Sequence, residues 1–128
     1  MPAYNVEPFI EPAIRSVLGQ TFRDFELIVV DDGATDQTHR AAVRAADGDP
    51  RVTVLRRANG GLSAARNTGL RQSTAPVIAL LDSDDLWQPA FLERQMAILE
   101  ADPSVDIVTG NAWNLGGSQS GQPARPHP

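Results

Sequence analysis

The chain has 128 residues, 41% of them hydrophobic, with a net charge of −5 and an isoelectric point near 4.8; that is one domain's worth of core and no basic face for nucleic acid. It contains no cysteine, which excludes disulfides, thiolate metal sites and a cysteine nucleophile, and no apolar run long enough to span a bilayer. All eleven basic residues are arginines, so any phosphate must be met by arginine, backbone amides or a metal.

The first helix is expected over 8 to 19, where Phe9, Ile10, Ile14, Val17 and Leu18 recur at three- and four-residue spacing and form a core-facing stripe. Pro12 is tolerable there only if the helix starts near Pro8, so that about one backbone bond is forgone. A strand follows at "ELIVV" (26 to 30), then a helix over 37 to 46 with Thr35 and Asp36 as N-cap candidates, then a strand at "VTVL" (52 to 55). Next come a helix over 62 to 72, a strand at "VIALL" (77 to 81), a helix over 89 to 101 opening on Pro89, and a strand at "VDIVT" (105 to 109). Phe91, Leu92, Met96 and Leu99 are the expected buried stripe of that last helix. Continuous apolar runs suit a parallel sheet covered on both faces, and the β-α-β alternation makes it doubly wound. The Gly-, Ser- and Pro-rich end, residues 116 to 128, is expected to be disordered. His127 in that tail and His39 on a helix surface are read as solvated and receive no role.

In such a sheet ligands collect outside the carboxyl ends of the strands, and two acidic clusters fall there. Asp31 and Asp32 end the strand at 26 to 30; Asp82, Asp84 and Asp85 end the run at 77 to 81. Carboxylates gathered on one edge repel one another unless a cation or ligand donors meet them. With no histidine or cysteine among them, hard oxygens select Mg²⁺ or Mn²⁺. Gly33 permits a sharp exit from the first cluster, and the glycine turn in "RANGGLSAARNTG" (57 to 69) leads into a helix, with Arg57 and Arg66 as candidates for countering a diphosphate.

Taken in this order and spacing, "PAYN", "SVLGQTFRDFELIVVDDGATD", "NGGLSAARNTG" and "LLDSDD" resemble the family 2 glycosyltransferases of GT-A fold, over residues 1 to about 113. The resemblance implies a Rossmann-like α/β fold and transfer of a sugar from a nucleotide-diphosphate donor, a UDP-sugar in the simplest case, to a glycan, lipid or protein acceptor, with inversion. By position it sets Pro2, Ala3 and Tyr4 around the base, with the Tyr4 ring stacking on it, and Asp32 accepting a base N–H. It puts the Arg66 helix near the diphosphate, Asp82 near the ribose and Asp84 on a divalent metal, Mn²⁺ or Mg²⁺, while Asp85 caps the helix or supports Asp84. The implied setting is cytoplasmic, with peripheral association at the inner face of the membrane left open, and no nucleic-acid partner.

Two segments of the family pattern are not matched. The family carries an apolar strand before "PAYN", central in the sheet between the strands at 26 to 30 and 77 to 81; without it, unpaired backbone groups on both neighbours are expected, at about 1 to 3 kcal/mol each. Nothing after Thr109 resembles the acceptor platform and its general-base carboxylate, so no catalytic residue is assigned. The expectation is a donor-binding half (1–113) followed by a tail (114–128), with weak or no transferase activity of its own. The alternative is a metal-dependent nucleotide-binding remnant without chemistry. A phosphoacceptor signalling domain is disfavoured by the absence of lysine, and a dinucleotide dehydrogenase by the absence of G-x-G-x-x-G after a strand.

Overall fold

A computed structural model describes residues 1–115 and 120–124, and the chain divides into two units, Met1–Glu93 and Arg94–Pro128. In chain order the elements are β1 (Pro2–Ala3), α1 (Glu7–Leu18), β2 (Leu27–Asp31), α2 (Thr38–Ala46), β3 (Val52–Arg56), α3 (Leu62–Gln72) and α4 (Phe91–Ala101). All four expected helices form, each within two residues of its expected start and one of its expected end. The helix α4 begins in the first unit and ends in the second.

The sheet of the first unit is parallel in the order β1-β2-β3. Five pairs, Leu27 with Val52 through Asp31 with Arg56, hold β2 to β3, whereas only Pro2 with Val30 and Ala3 with Asp31 hold β1. Alternation of side chains along β2 sends Leu27 and Val29 into the core with Ile10, Ile14, Ala41 and Ala42. Ile28 and Val30 point the other way, where a Cβ added to Gly69 of α3 would lie 3.9 and 3.5 Å from their methyl groups. The strand β2 is thus covered on both faces, as its continuous apolar run requires, whereas Thr53 of β3 is exposed.

Small residues set how closely the helices approach. Ala41, Ala42 and Ala45 on α2 are buried beside Ile10, Ile14 and Val17 of α1. Pro8 stands in the first turn of α1 and Pro12 one turn later, so Pro12 forgoes only the bond to the carbonyl four residues back. Phe9, expected in the core stripe, is instead 54% exposed. Five residues apart on a helix, Phe9 and Ile14 lie on nearly opposite sides, so burying Ile14 turns Phe9 outward.

Two expected strands do not form. In the run 77 to 81 only Leu81 reaches the core, while Val77, Ile78 and Leu80 are 42, 44 and 63% exposed. An apolar run becomes a strand only where a neighbour pairs its amides, and the two residues of β1 are too few to template it. The expected unpaired groups on β2 are nonetheless met: the Met1 ammonium donates to Ile28 O at 2.9 Å, and the amides of Val30 and Asp32 donate to Met1 O and Ala3 O.

In the second unit the run 105 to 109 is not a strand either, and Ile107 is 80% exposed. Of the stretch expected to lack structure, residues 116–119 and 125–128, with His127, lie outside the described residues. Within residues 120–124, Pro123 bridges Trp113 in antiparallel fashion, and Ala124 N donates to Ala112 O at 2.7 Å. Among the described residues no helix is long and apolar enough to cross a membrane.

Candidate functional site

A cleft of about 290 Å³ opens at the carboxyl ends of β1 and β2. Six of the residues expected in a site line it: Pro2, Ala3, Tyr4, Asp32, Asp82 and Asp84. The seventh, Arg66, stands behind this lining and holds Asp82, with Nη2 2.7 Å from Oδ1. Val6, Asn59, Gly61, Leu62, Ala65 and Ser83 complete the wall, and the sequence reading singles out none of them as a site residue.

The adjacent acids Asp31 and Asp32 part company because successive residues of a strand face opposite sides. Asp31, completely buried, follows Leu27 and Val29 toward α2, so it stands apart from the cleft carboxylates with which its strand-end position groups it. Its Oδ1 accepts Ala34 N at 2.8 Å, and Oδ2 lies 3.2 Å from Arg56 Nε and 3.3 Å from His39 Nδ1. His39 is therefore not a solvated surface residue; its side chain is 34% exposed and rests on a buried acid. Neither Asp31 Oδ2 nor His39 Nδ1 makes an aligned hydrogen bond, so the contact is one of proximity and charge.

Asp32 turns to the α3 side and organises the loop before it. Oδ1 accepts Arg57 Nη1 at 2.6 Å, Oδ2 accepts Gly61 N at 2.7 Å, and Gly60 N reaches both oxygens at 3.2 and 3.1 Å. Burial pushes this carboxyl up, but the two amides and the guanidinium outweigh it and hold it below the ordinary carboxylate value. Arg57 is thereby committed to Asp32. Gly33, at φ 75°, makes the exit that allows this packing, since a Cβ there would stand 2.8 Å from Asn59 N. Gly61, at φ 86° and ψ 169°, starts α3 in a conformation open essentially to glycine alone, and Gly61, Leu62 and Ala65 bring the N-terminal turn of α3 to the cleft.

Asn5 holds the other wall. In the left-handed conformation at φ 52°, its Oδ1 accepts Thr35 N at 2.9 Å and Asp36 N at 3.4 Å, while Val6 N donates to Thr38 Oγ1 at 2.8 Å. This clasp fixes the β1–α1 crossover against the β2–α2 turn and so fixes Tyr4, a residue 48% exposed. An asparagine directly after a cleft residue, in the residue class that tolerates positive φ, is the signal that could have identified it. Neither cap candidate occupies the cap of α2, which is Gln37; Asp36, one residue earlier, accepts Thr38 N at 2.9 Å, and Thr35 is spent on Asn5.

The carboxylate turn is anchored from behind. Gln20, fully buried, donates to Ser16 O and Gln88 O and accepts Leu92 N at 2.9 Å; Trp87 N donates to Ser16 Oγ. Asp85 N closes the turn onto Asp82 O at 3.1 Å. Burial first, then the charges of Asp84 and Asp82, raise the Asp85 carboxyl above its ordinary value. Among the described residues no group of three or more potential ligands is arranged to hold a metal. A cation that also binds a diphosphate needs only one or two carboxylates, and exposed Asp84 at the cleft meets that need.

The profile of glycosyl transferase family 2 matches residues 1–125. The chain is 46% identical over 108 residues to the glycosyltransferase EpsJ of Bacillus subtilis (strain 168), an alignment that takes in 84% of this chain and 31% of EpsJ. Among solved structures it is similar to S. aureus TarS 1-349 in complex with UDP (TM-score 0.71, 30% identity, 78% of this chain and 30% of that one). It is similar too to the mannosyltransferase PcManGT from Pyrobaculum calidifontis in complex with GDP-Man and Mn²⁺ (TM-score 0.73, 34% identity, 81% and 32%). The chain thus spans about a third of the length of each. The α/β fold with its parallel sheet is of GT-A type. On the profile match and these likenesses together, the chain belongs to glycosyl transferase family 2.

Proposed function

We propose that the cleft binds a nucleoside-diphosphate sugar, most simply a UDP-sugar, and that residues 1–113 are the donor-binding part of an inverting, metal-assisted sugar transferase. One observation carries the reading: an exposed aromatic ring, the amino end of a helix and an acidic turn share a single cleft. Tyr4 offers a ring face for the base, with Pro2 and Ala3 beside it. A base N–H competes with Arg57 for Asp32 Oδ1, so base recognition involves loosening that contact. The N-terminal turn of α3 suits a diphosphate, because its free amides and dipole favour an anion, and Arg66 on the same helix adds positive charge. Asp82 takes the ribose and Asp84 the divalent ion, Mn²⁺ or Mg²⁺. When bound there, the ion supplies Lewis-acid stabilisation of the departing nucleoside diphosphate. The complexes of TarS with UDP and of PcManGT with GDP-Man and Mn²⁺ support the ligand class. The acceptor is a glycan, a lipid or a protein.

Calorimetric titration with UDP tests this. Mn²⁺ should tighten UDP binding by roughly tenfold or more, within the usual range of coupling between ligands. Asp84→Ala should abolish that gain while the fold persists. UDP binding that ignores both Mn²⁺ and Asp84→Ala would contradict the proposal.

A further inference from the structure

Arg66 opens the second turn of α3 and pairs across to Asp82, Nη2 to Oδ1 at 2.7 Å, with both side chains partly exposed. Its Nε is buried without a hydrogen-bond partner, so Asp82 is what engages the guanidinium among the described residues. Three carboxylates, Asp82, Asp84 and Asp85, stand within four positions of the acidic turn. Of these Asp82 and Asp84 line the cleft, and a free Asp82 would add a second carboxylate to what a divalent cation could use there. The guanidinium neutralises Asp82 and occupies one of its oxygens, so Asp84 is left as the cleft-lining acid without an ion pair among the described residues. A cation on Asp84 must then complete its shell with water or with phosphate oxygens.

Resting on the reading of this cleft as a metal-assisted nucleotide site, we infer that Arg66 makes cation binding conditional on the nucleotide. By engaging Asp82 it keeps the turn too poor in donors, and too little charged, to hold Mn²⁺ alone; the diphosphate supplies the missing oxygens and charge. Arg66 is in this sense a positioning residue, acting on the ion through Asp82 rather than touching it.

The test is the affinity for Mn²⁺ alone, followed by the paramagnetic resonance signal of the free ion. Arg66→Gln should bind Mn²⁺ about fivefold or more tightly than the wild type, from the field of one added negative charge at short range in a wet site. Asp82→Asn on top of Arg66→Gln should cancel the gain, and Arg66→Lys, which keeps the charge, should show little of it. The factor by which UDP improves Mn²⁺ binding should fall in Arg66→Gln. Circular dichroism melts establish that each variant is folded, and Arg66→Met replaces Arg66→Gln if the latter is not. Unchanged or weaker Mn²⁺ binding in the folded variant overturns the inference, as does a gain that survives Asp82→Asn. Because this readout uses no nucleotide, it is separable from the proposed function, which fails instead if the wild type does not bind UDP.

Discussion

At the scale of single residues, the pair Asp31 and Asp32 shows how one step along a strand separates two roles. Asp31 goes under α2 to Arg56 and His39, and Asp32 goes to the cleft and the loop at 57–61. Replacing Asp32 by Ala removes the acceptor for Arg57 and for the amides of Gly60 and Gly61 at a site only 3% exposed. The expected cost is roughly 2–4 kcal/mol, measured by urea unfolding at neutral pH, since buried donors left without partners each bear their desolvation penalty uncompensated. The pH dependence has a definite sign. The folded carboxyl lies below its unfolded value, so its contribution is present in full above about pH 4 and is lost as pH falls through the lowered folded value. Stability of the wild type should fall more steeply with acid below about pH 4 than that of Asp32→Ala. Parallel curves for the two proteins would show that Asp32 is not held as described.

At the scale of elements, α3 is fitted to the sheet through its smallest side chains. Ala65 is fully buried, and Gly69, one turn on, passes over Val30 and Ile28. A glycine inside a helix costs about 0.5–1 kcal/mol relative to alanine. The Cβ of Gly69→Ala would meet its nearest atoms at 3.5 and 3.9 Å, an ordinary contact distance, with no positive φ at this position to forbid it. Gly69→Ala should therefore stabilise the protein by up to about 1 kcal/mol, read as a higher thermal midpoint with unchanged UDP affinity. A loss of stability would mean that α3 lies closer to β2 than these distances allow. Elsewhere the elements are joined through polar side chains whose function only their partners reveal. Gln20 ties the end of α1 to the segment from Gln88 to Leu92, and Asn5 ties β1 to the turn before α2.

For the molecule as a whole, the unpaired run at 77 to 81 decides how the surface behaves. Val77, Ile78 and Leu80 expose apolar area that a paired strand would bury, and such patches bind other apolar matter. Leu80→Ser should reduce binding of an apolar fluorescent dye and change the unfolding free energy by no more than about 0.5 kcal/mol, as expected of a side chain that is 63% exposed. A large destabilisation would show instead that Leu80 is part of the packed core. The local pattern of the sequence was sufficient for the helices, for β2 and β3, and for the end of the sheet where the acids gather, because three- and four-residue spacing, apolar runs and glycine exits act over a few neighbouring residues. Six of the seven residues singled out from motif order and spacing line the cleft, and six further residues of its wall were not among them. Tertiary structure alone decided that 77 to 81 and 105 to 109 are not strands, because a strand is a property of a pair and no neighbour among the described residues pairs with either run. It alone decided that Arg57 and Arg66 are held by Asp32 and Asp82, since an ion pair 25 or 16 residues apart is set by where the backbone brings the charges and not by their distance along it.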